Sequence, residues 1–247
     1  MNHHLKEYLS KHHYPRFEIK AILFDMDGVL YDSMPAHADS WQKTMEEFGY
    51  STTKPAEFYL HEGRLGQATI NIITEREFGR EATAKEMEEI YARKTELFRE
   101  YNNGKTITGA AQVLELVKEK GLTPVLVTGS GQPSLLGRLD AHFPGTFTPQ
   151  TMVTAFDVVN GKPDPEPFLQ GLKKGGDLQP NQAIVIENAP LGIEAAVGAG
   201  IFTIAVNTGP LPDSLLREAG ASVVFDSMTQ LLEELPGLLH QAETTGI

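Results

Sequence analysis

The sequence predicts an α/β fold, with a parallel sheet covered by helices on both faces and an all-helical insert after the first strand. From residue 106 onward, short and wholly apolar segments alternate with segments of helical periodicity, as expected for parallel strands buried on both faces. Between residues 51 and 103 the periodicity is helical and no convincing strand occurs. We therefore expect a three-layer core formed by residues 1–33 and 106–247, and a small helical unit formed by residues 34–105.

The composition argues against several classes of partner. The 247-residue chain is 40% hydrophobic, which is enough for a substantial core. Its net charge of −12 argues against a nucleic-acid surface and against an anionic membrane surface. Because there is no cysteine, disulfides and thiolate metal sites are excluded, and no apolar run approaches the length of a membrane span. We expect a cytoplasmic protein, monomeric or a weak homo-oligomer, with no nucleic-acid or membrane partner.

The N-terminal part of the chain contains one predicted strand, at residues 21–24, and several helices. Residues 1–20 are polar and carry two histidine pairs, and we expect a short surface helix or arm there rather than a metal site, because no carboxylate or cysteine shares the spacing. Helical spacing predicts helices at residues 34–48, 65–78 and 83–101, the last opened by the capping-box pair Thr83 and Glu86. Asn102–Gly104 is typical of a hinge.

The remainder of the chain alternates helices and strands, as a parallel sheet requires. The helices are predicted at 110–120, 133–141, 166–174, 191–199, 213–218 and 228–239, and the strands at 124–127, 152–154, 183–186, 201–206 and 222–225.

Two carboxylates follow the first strand directly. Asp25 and Asp27 are separated by one residue, so both can face one site at the carboxyl end of the strand, where open α/β sheets bind ligands. Adjacent carboxylates repel each other and usually need a cation or a shared proton. The pair alone would also fit a capped turn.

Two further segments place polar groups after strands. Thr128-Gly129-Ser130 stands between a strand and a helix, and the hydroxyl and free backbone N–H groups there suit a phosphate oxygen, although a plain turn fits the pattern equally well. Lys162 is followed by three prolines within residues 163–167, which fix the backbone in a way that a solvated lysine would not need. A fourth segment ends the strand at 183–186 with Glu187 and Asn188.

These four segments, in this order, resemble the motifs of the haloacid dehalogenase superfamily, and the helical insert stands where the β-phosphoglucomutase-like branch has its cap domain. The resemblance implies a Rossmann-like core and Mg²⁺-dependent phosphoryl transfer through an aspartyl-phosphate. Asp25 would be the nucleophile and Asp27 the acid/base, with Thr128 on the phosphate and Lys162 offsetting charge.

The same resemblance implies that Asp25, Asp27, Glu187 and Asn188 hold Mg²⁺, and that Gly129 and Ser130 bind phosphate. The family pattern has two adjacent acids where this chain has Glu187-Asn188. The asparagine oxygen can ligate Mg²⁺ or hold a metal-bound water, but it brings no charge. A non-catalytic phosphometabolite binder is disfavoured because the other motifs are intact.

The cap residues bear on the substrate. His37, one turn before Trp41, matches the hinge helix of the mutases, where a histidine assists the acid/base. In place of the sugar-phosphate loop of the mutases the chain has a loop containing Glu62 and Arg64, and Arg64 can hold phosphate. Glu62 could be a solvated carboxylate or a metal ligand that the cap supplies on closure. The loop at 61–64 together with Asn188 also resembles the inorganic pyrophosphatases of this branch. We expect hydrolysis of a small phosphorylated metabolite or pyrophosphate, with β-phosphoglucomutase activity as the alternative.

Overall fold

The computed structural model describes residues 2–131 and 135–246, without the side chains of Leu135 and Leu136. Within them lies a six-stranded sheet in the order β3-β2-β1-β4-β5-β6, in which every strand pair is parallel. The predicted fold class, an α/β core with a parallel sheet and a helical insert, is confirmed. The strands are β1 (Ala21–Phe24), β2 (Thr123–Val127), β3 (Met152–Val153), β4 (Ala183–Glu187), β5 (Phe202–Val206) and β6 (Val223–Phe225).

Successive residues of each central strand enter different hydrophobic layers, because side chains of a strand alternate between the faces of the sheet. In β1, Ile22 and Phe24 enter the larger cluster, while Ala21 and Leu23 enter the smaller one on the opposite face. The helices that cover the two faces supply the other half of each layer. This burial on both faces explains why the strands are wholly apolar.

Ten α-helices occur in the described residues, and their bounds agree with the predicted ones to within a few residues at most ends. The predicted helix at 133–141 is seen from Leu135, and its first two residues lie outside the described residues. The last helix runs beyond the predicted end at residue 239, because Ala242 is still buried in the core. The helices are α1 (Asn2–His12), α2 (Met34–Glu47), α3 (Gly66–Phe78), α4 (Ala84–Tyr101), α5 (Ala110–Glu119), α6 (Leu135–His142), α7 (Glu166–Lys174), α8 (Pro190–Gly198), α9 (Asp213–Glu218) and α10 (Met228–Thr244).

The N-terminal segment is more than the predicted surface helix or arm. Leu5 and Leu9 of α1 are fully buried in the larger core cluster, and the Tyr8 hydroxyl donates a hydrogen bond to the Gly200 carbonyl at 2.7 Å. Only three apolar side chains of α1 are buried, so the polar composition of this segment does not indicate that the helix packs into the core. No helix among the described residues is both long and apolar enough to cross a membrane.

The helical insert has a hydrophobic cluster of its own. The helices α2, α3 and α4 and a 3₁₀ helix at Pro55–Tyr59 pack around Trp41, Phe58 and Ile73. The predicted capping box opens α4, since Thr83 and Glu86 bond to each other's backbone N–H groups. This separate cluster supports the predicted cap at residues 34–105, whose boundaries stay a prediction.

Candidate active site

Three adjacent strands bring predicted site residues to one edge of the sheet. β1 lies between β2 and β4, and Asp25, Thr128 and Glu187 stand at the carboxyl ends of these strands. All three side chains are buried. The topology therefore gathers residues that are up to 162 positions apart along the sequence.

Lys162 joins this edge from the loop that precedes α7. Its ammonium group donates to Asp25 Oδ1 at 2.5 Å, to Glu187 Oε1 at 2.6 Å and to the Val127 carbonyl at 3.2 Å. The lysine is only 1% exposed, so its charge is compensated by the two carboxylates and not by water. Lys162 is thereby placed to balance negative charge on Asp25 and on a group bonded to it.

The electrostatics of Asp25 call for a further cation. Burial raises its pKa to about 8; Lys162 opposes the shift, and the carboxylates of Glu187 and Asp27 add to it. A nucleophilic carboxylate must be ionised, and a cation beside Asp25 would lower this pKa. The site therefore has a net shortage of positive charge.

Asp27 lies in a chain of hydrogen-bonding groups that crosses from the core into the insert. The Ser33 hydroxyl donates to Asp27 Oδ1 at 2.5 Å, and His37 Nε2 lies 3.3 Å from the same oxygen. His37 Nδ1 is in turn 2.7 Å from Lys94 Nζ. Burial would raise the pKa of Asp27, but His37 and Ser33 outweigh it and lower the pKa to about 2. Asp27 is therefore a carboxylate in the ligand-free protein.

Lys94 is a site residue that was missed at the sequence level. Its ammonium group lies 4.7 Å from the centre of the Phe98 ring and 5.3 Å from that of Trp41, and burial lowers its pKa to about 7. One signal was present: Ile90, Lys94 and Leu97 share the spacing of the apolar face of α4. A lysine on such a face suggests a buried amine with a specific partner.

The phosphate-binding candidates line the same pocket as the two aspartates. Thr128, Gly129 and Ser130 form part of its wall, and the Ser130 N–H donates to Thr128 Oγ1 at 3.1 Å. The loop of the insert approaches Gly129 closely, because an added Cβ there would lie only 3.1 Å from the Gly63 carbonyl oxygen. The loop of the insert therefore forms the wall that faces Gly129.

That loop, residues 61–66, places Glu62 against the core. The Asn188 amide nitrogen donates to the two Glu62 carboxylate oxygens at 3.0 and 3.1 Å, so the two departures from the family pattern are in contact. Gly63 has a φ of +83° and packs against the aliphatic part of the Lys162 side chain. Arg64 lines the pocket, and its buried Nε has no hydrogen-bond partner among the described residues.

The residues present fit a hard cation such as Mg²⁺, with the restriction that both carboxylate oxygens of Glu187 are already hydrogen-bonded. Asn188 Oδ1 is buried and has no hydrogen-bond partner among the described residues, and its side chain packs on Gly28, so this carbonyl oxygen is a free acceptor next to the segment that carries Asp25 and Asp27. Both Glu187 oxygens already accept hydrogen bonds, from Lys162 and from the N–H groups of Asn188 and Ala189. Within the described part of the chain, no group of three or more His, Asp or Glu side chains is arranged to hold an ion.

The comparisons agree with this geometry. The family model of haloacid dehalogenase-like hydrolases matches residues 22–206, which include β2 to β5, all of β1 but its first residue, and every site residue named above. The chain belongs to this family. Proteins similar to it include the hexitol phosphatase A of Escherichia coli, 30% identical over 213 residues that span 86% of this chain and 93% of that protein.

Two more proteins are similar to this chain over most of its length. The phosphorylated carbohydrates phosphatase of Thermotoga maritima is 31% identical over 212 residues, 82% of this chain and 92% of that protein. A solved structure from Bacteroides vulgatus, whose name of β-phosphoglucomutase is provisional, is 51% identical, with a TM-score of 0.94 and 98% of each chain covered. The predicted β-phosphoglucomutase-like branch and the prediction of a phosphoryl-transfer enzyme are confirmed.

Proposed function

We propose that the protein is a Mg²⁺-dependent phosphohydrolase that acts through an aspartyl-phosphate on Asp25. The observation that carries this proposal is the buried ion pair of Asp25 with Lys162 at a pocket that Asp25 and Asp27 both line. A carboxylate next to a buried cation is a suitable nucleophile for phosphorus, and a second carboxylate nearby supplies the proton transfer.

In the first step a carboxylate oxygen of Asp25 bonds to phosphorus as the bond to the leaving oxygen breaks. Asp27 gives its proton to the leaving oxygen. In the second step Asp27 takes a proton from water, whose oxygen attacks the aspartyl-phosphate and releases phosphate and the Asp25 carboxylate. Asp27 must be protonated for the first step, and an arriving phosphoryl dianion raises its pKa from the low resting value. Lys162 balances the developing negative charge.

Asp25, Asp27 and Asn188 would hold Mg²⁺, with Glu187 as a further predicted ligand. When bound, Mg²⁺ neutralises charge on the phosphoryl oxygens and keeps Asp25 ionised. Thr128, Gly129 and Ser130 are the proposed contacts to the transferred phosphoryl group. His37 and Lys94 orient Asp27 from the insert.

A small phosphorylated metabolite or pyrophosphate is the proposed substrate. The names of the Escherichia coli and Thermotoga maritima relatives favour a phosphorylated carbohydrate. The contact of Glu62 with Asn188 favours pyrophosphate, because a carboxylate at the pocket is better tolerated by a metal-bridged diphosphate than by a sugar. The Bacteroides vulgatus relative favours the second candidate function, interconversion of β-glucose 1- and 6-phosphates.

The test is steady-state hydrolysis of sugar phosphates, glycerol 1-phosphate and pyrophosphate with and without Mg²⁺, alongside an assay for β-glucose phosphate interconversion. We expect phosphate release that needs Mg²⁺ and disappears in Asp25→Asn, which is close in shape to the wild type. Residual hydrolysis in Asp25→Asn would refute covalent catalysis by Asp25. Mutase activity without hydrolysis would favour the second function.

A further inference from the structure

His61 is the first residue of the loop at 61–66, and it lines the same pocket as Asp25 and Asp27. Its side chain is 14% exposed, and its Nε2 lies 3.3 Å from Glu57 Oε1. Glu57 is held in turn by Arg76 of α3, which donates to both of its carboxylate oxygens. A carboxylate fixed by an arginine therefore orients an imidazole in the wall of the pocket.

This arrangement assigns the tautomer of His61. The hydrogen bonds from Arg76 and His61 outweigh burial and lower the pKa of Glu57, so its carboxylate is ionised and can only accept. The hydrogen between Glu57 and His61 is therefore on Nε2, and Nδ1 carries a lone pair. His61 Nδ1 is buried, and it has no hydrogen-bond partner among the described residues.

The charged groups that face His61 keep its ring neutral. Burial lowers its pKa, Arg64 and Arg76 lower it further, and Glu57 opposes them. With Nε2 donating to Glu57, the neutral ring offers Nδ1 as a hydrogen-bond acceptor. A buried acceptor without a partner is destabilising, so a ligand that supplies a donor gains from pairing with it.

Building on the proposed phosphohydrolase function, we propose that His61 is a specificity-determining residue whose Nδ1 accepts a hydrogen bond from an O–H group of the leaving group. The oxygens of an ionised phosphate are acceptors and leave Nδ1 unpaired. An alcohol hydroxyl of a polyol or sugar phosphate satisfies it, as does a protonated phosphate oxygen of pyrophosphate. The class of substrate is thus one whose leaving group carries an O–H donor.

Two variants separate the two sides of the ring. His61→Gln keeps a donor for Glu57 and loses the acceptor at Nδ1, whereas His61→Asn places an amide oxygen near the Nδ1 position and loses the contact with Glu57. His3→Gln, on a side chain that is 85% exposed, is the matched control and should leave all rates unchanged.

The informative quantity is the ratio of kcat/KM for glycerol 1-phosphate to kcat/KM for propyl phosphate, which lacks the hydroxyls. We expect His61→Gln to lower this ratio about tenfold and His61→Asn to lower it less. If the donor is a phosphate O–H, the ratio stays constant and the loss appears with pyrophosphate, growing as the pH falls. An equal loss on all three substrates, or no loss on any, would overturn the proposal.

A second measurement does not depend on turnover. In histidine-labelled Asp25→Asn protein, the ¹⁵N resonance of His61 Nδ1 should be that of an unprotonated nitrogen and should shift when glycerol 1-phosphate or pyrophosphate is added. A protonated Nδ1, or no shift with either ligand, would overturn the role of His61. If the wild type hydrolyses nothing while this shift is seen, the proposed function fails and the recognition of an O–H group stands.

Discussion

Lys94 is an amine that the fold removes from water. Burial lowers its pKa to about 7, from an ordinary value of 10.5. Between these pH values the unfolded chain binds one more proton than the folded protein, so this residue makes the free energy of unfolding rise with pH. Because one pKa unit corresponds to about 1.4 kcal/mol, the burial costs about 4 kcal/mol at pH 7, where the folded amine is half titrated, and about 2 kcal/mol at pH 9.

We expect Lys94→Met to raise the free energy of unfolding by a few kcal/mol at pH 7 and by less at pH 9, since methionine fills the same space without a charge. Urea denaturation across this range measures the effect. Lys85→Met on the same helix, with a side chain that is 81% exposed, is the control and should not change the pH dependence. A gain that stays constant as the pH rises would show that folding does not lower the pKa of Lys94.

The residues that could be predicted from the sequence are those whose role is visible in their immediate neighbours. Asp25 follows an apolar strand directly, and Lys162 is followed by prolines. The environment of Lys94 depends on Trp41, which is 53 positions away, and the orientation of His61 depends on Arg76, which acts through another side chain. Such indirect contacts leave no local pattern.

At the level of elements, the loop at 61–66 depends on the absence of a side chain at Gly63. An added Cβ would lie 2.7 Å from Lys162 Cδ, and φ is +83°. We expect Gly63→Ala to lower kcat/KM at least tenfold, because it displaces either the loop or the lysine. Gly79→Ala, at φ +67° with open space around it, carries the same backbone cost of about 1 kcal/mol without the clash. Equal kinetic losses in the two variants would mean that the contact with Lys162 is unimportant.

The contact between Glu62 and Asn188 couples this loop to the core. If Glu62 completes the metal site only in the closed state, Glu62→Gln should lower kcat while barely changing Mg²⁺ affinity without substrate. Asn188→Asp should tighten Mg²⁺ binding and make Glu62 less important.

A double-mutant cycle on kcat, with Mg²⁺ binding measured in parallel, tests this coupling. Additive effects, or a silent Glu62→Gln, would show that the hydrogen bond to Asn188 has no catalytic consequence. The support for pyrophosphate as substrate would then be lost.

The strands could be predicted from the sequence better than the ends of the helices. The run at residues 183–186 is apolar at every position and too short for a helix, which favours a buried strand. The depth of α1 and the full length of α10 could not be predicted, because both depend on packing of the chain ends against the core. Arg16 bridges to Gly246, near the end of the described chain, a contact that no local pattern encodes.

For the whole molecule, the structure corresponds to the closed arrangement of insert and core, because the loop at 61–66 contacts the core at Gly129, Lys162 and Asn188. We expect the ligand-free protein to open at the linkers, one of which contains Gly104 at φ +71°. Small-angle scattering should then show compaction when Mg²⁺ and fluoroaluminate are added together, and none with fluoroaluminate alone. An unchanged radius of gyration would mean that the pocket fills without closure.

The sheet ends on both sides in very short strands, β3 with two residues and β6 with three. An edge strand exposes unpaired backbone donors and acceptors, which can template the addition of a strand from another copy. Edges of this length present few such groups, so the sheet is a poor seed for edge-to-edge aggregation. The long, apolar strands that would be most hazardous in this respect are the central ones, and each of them is already paired on both sides.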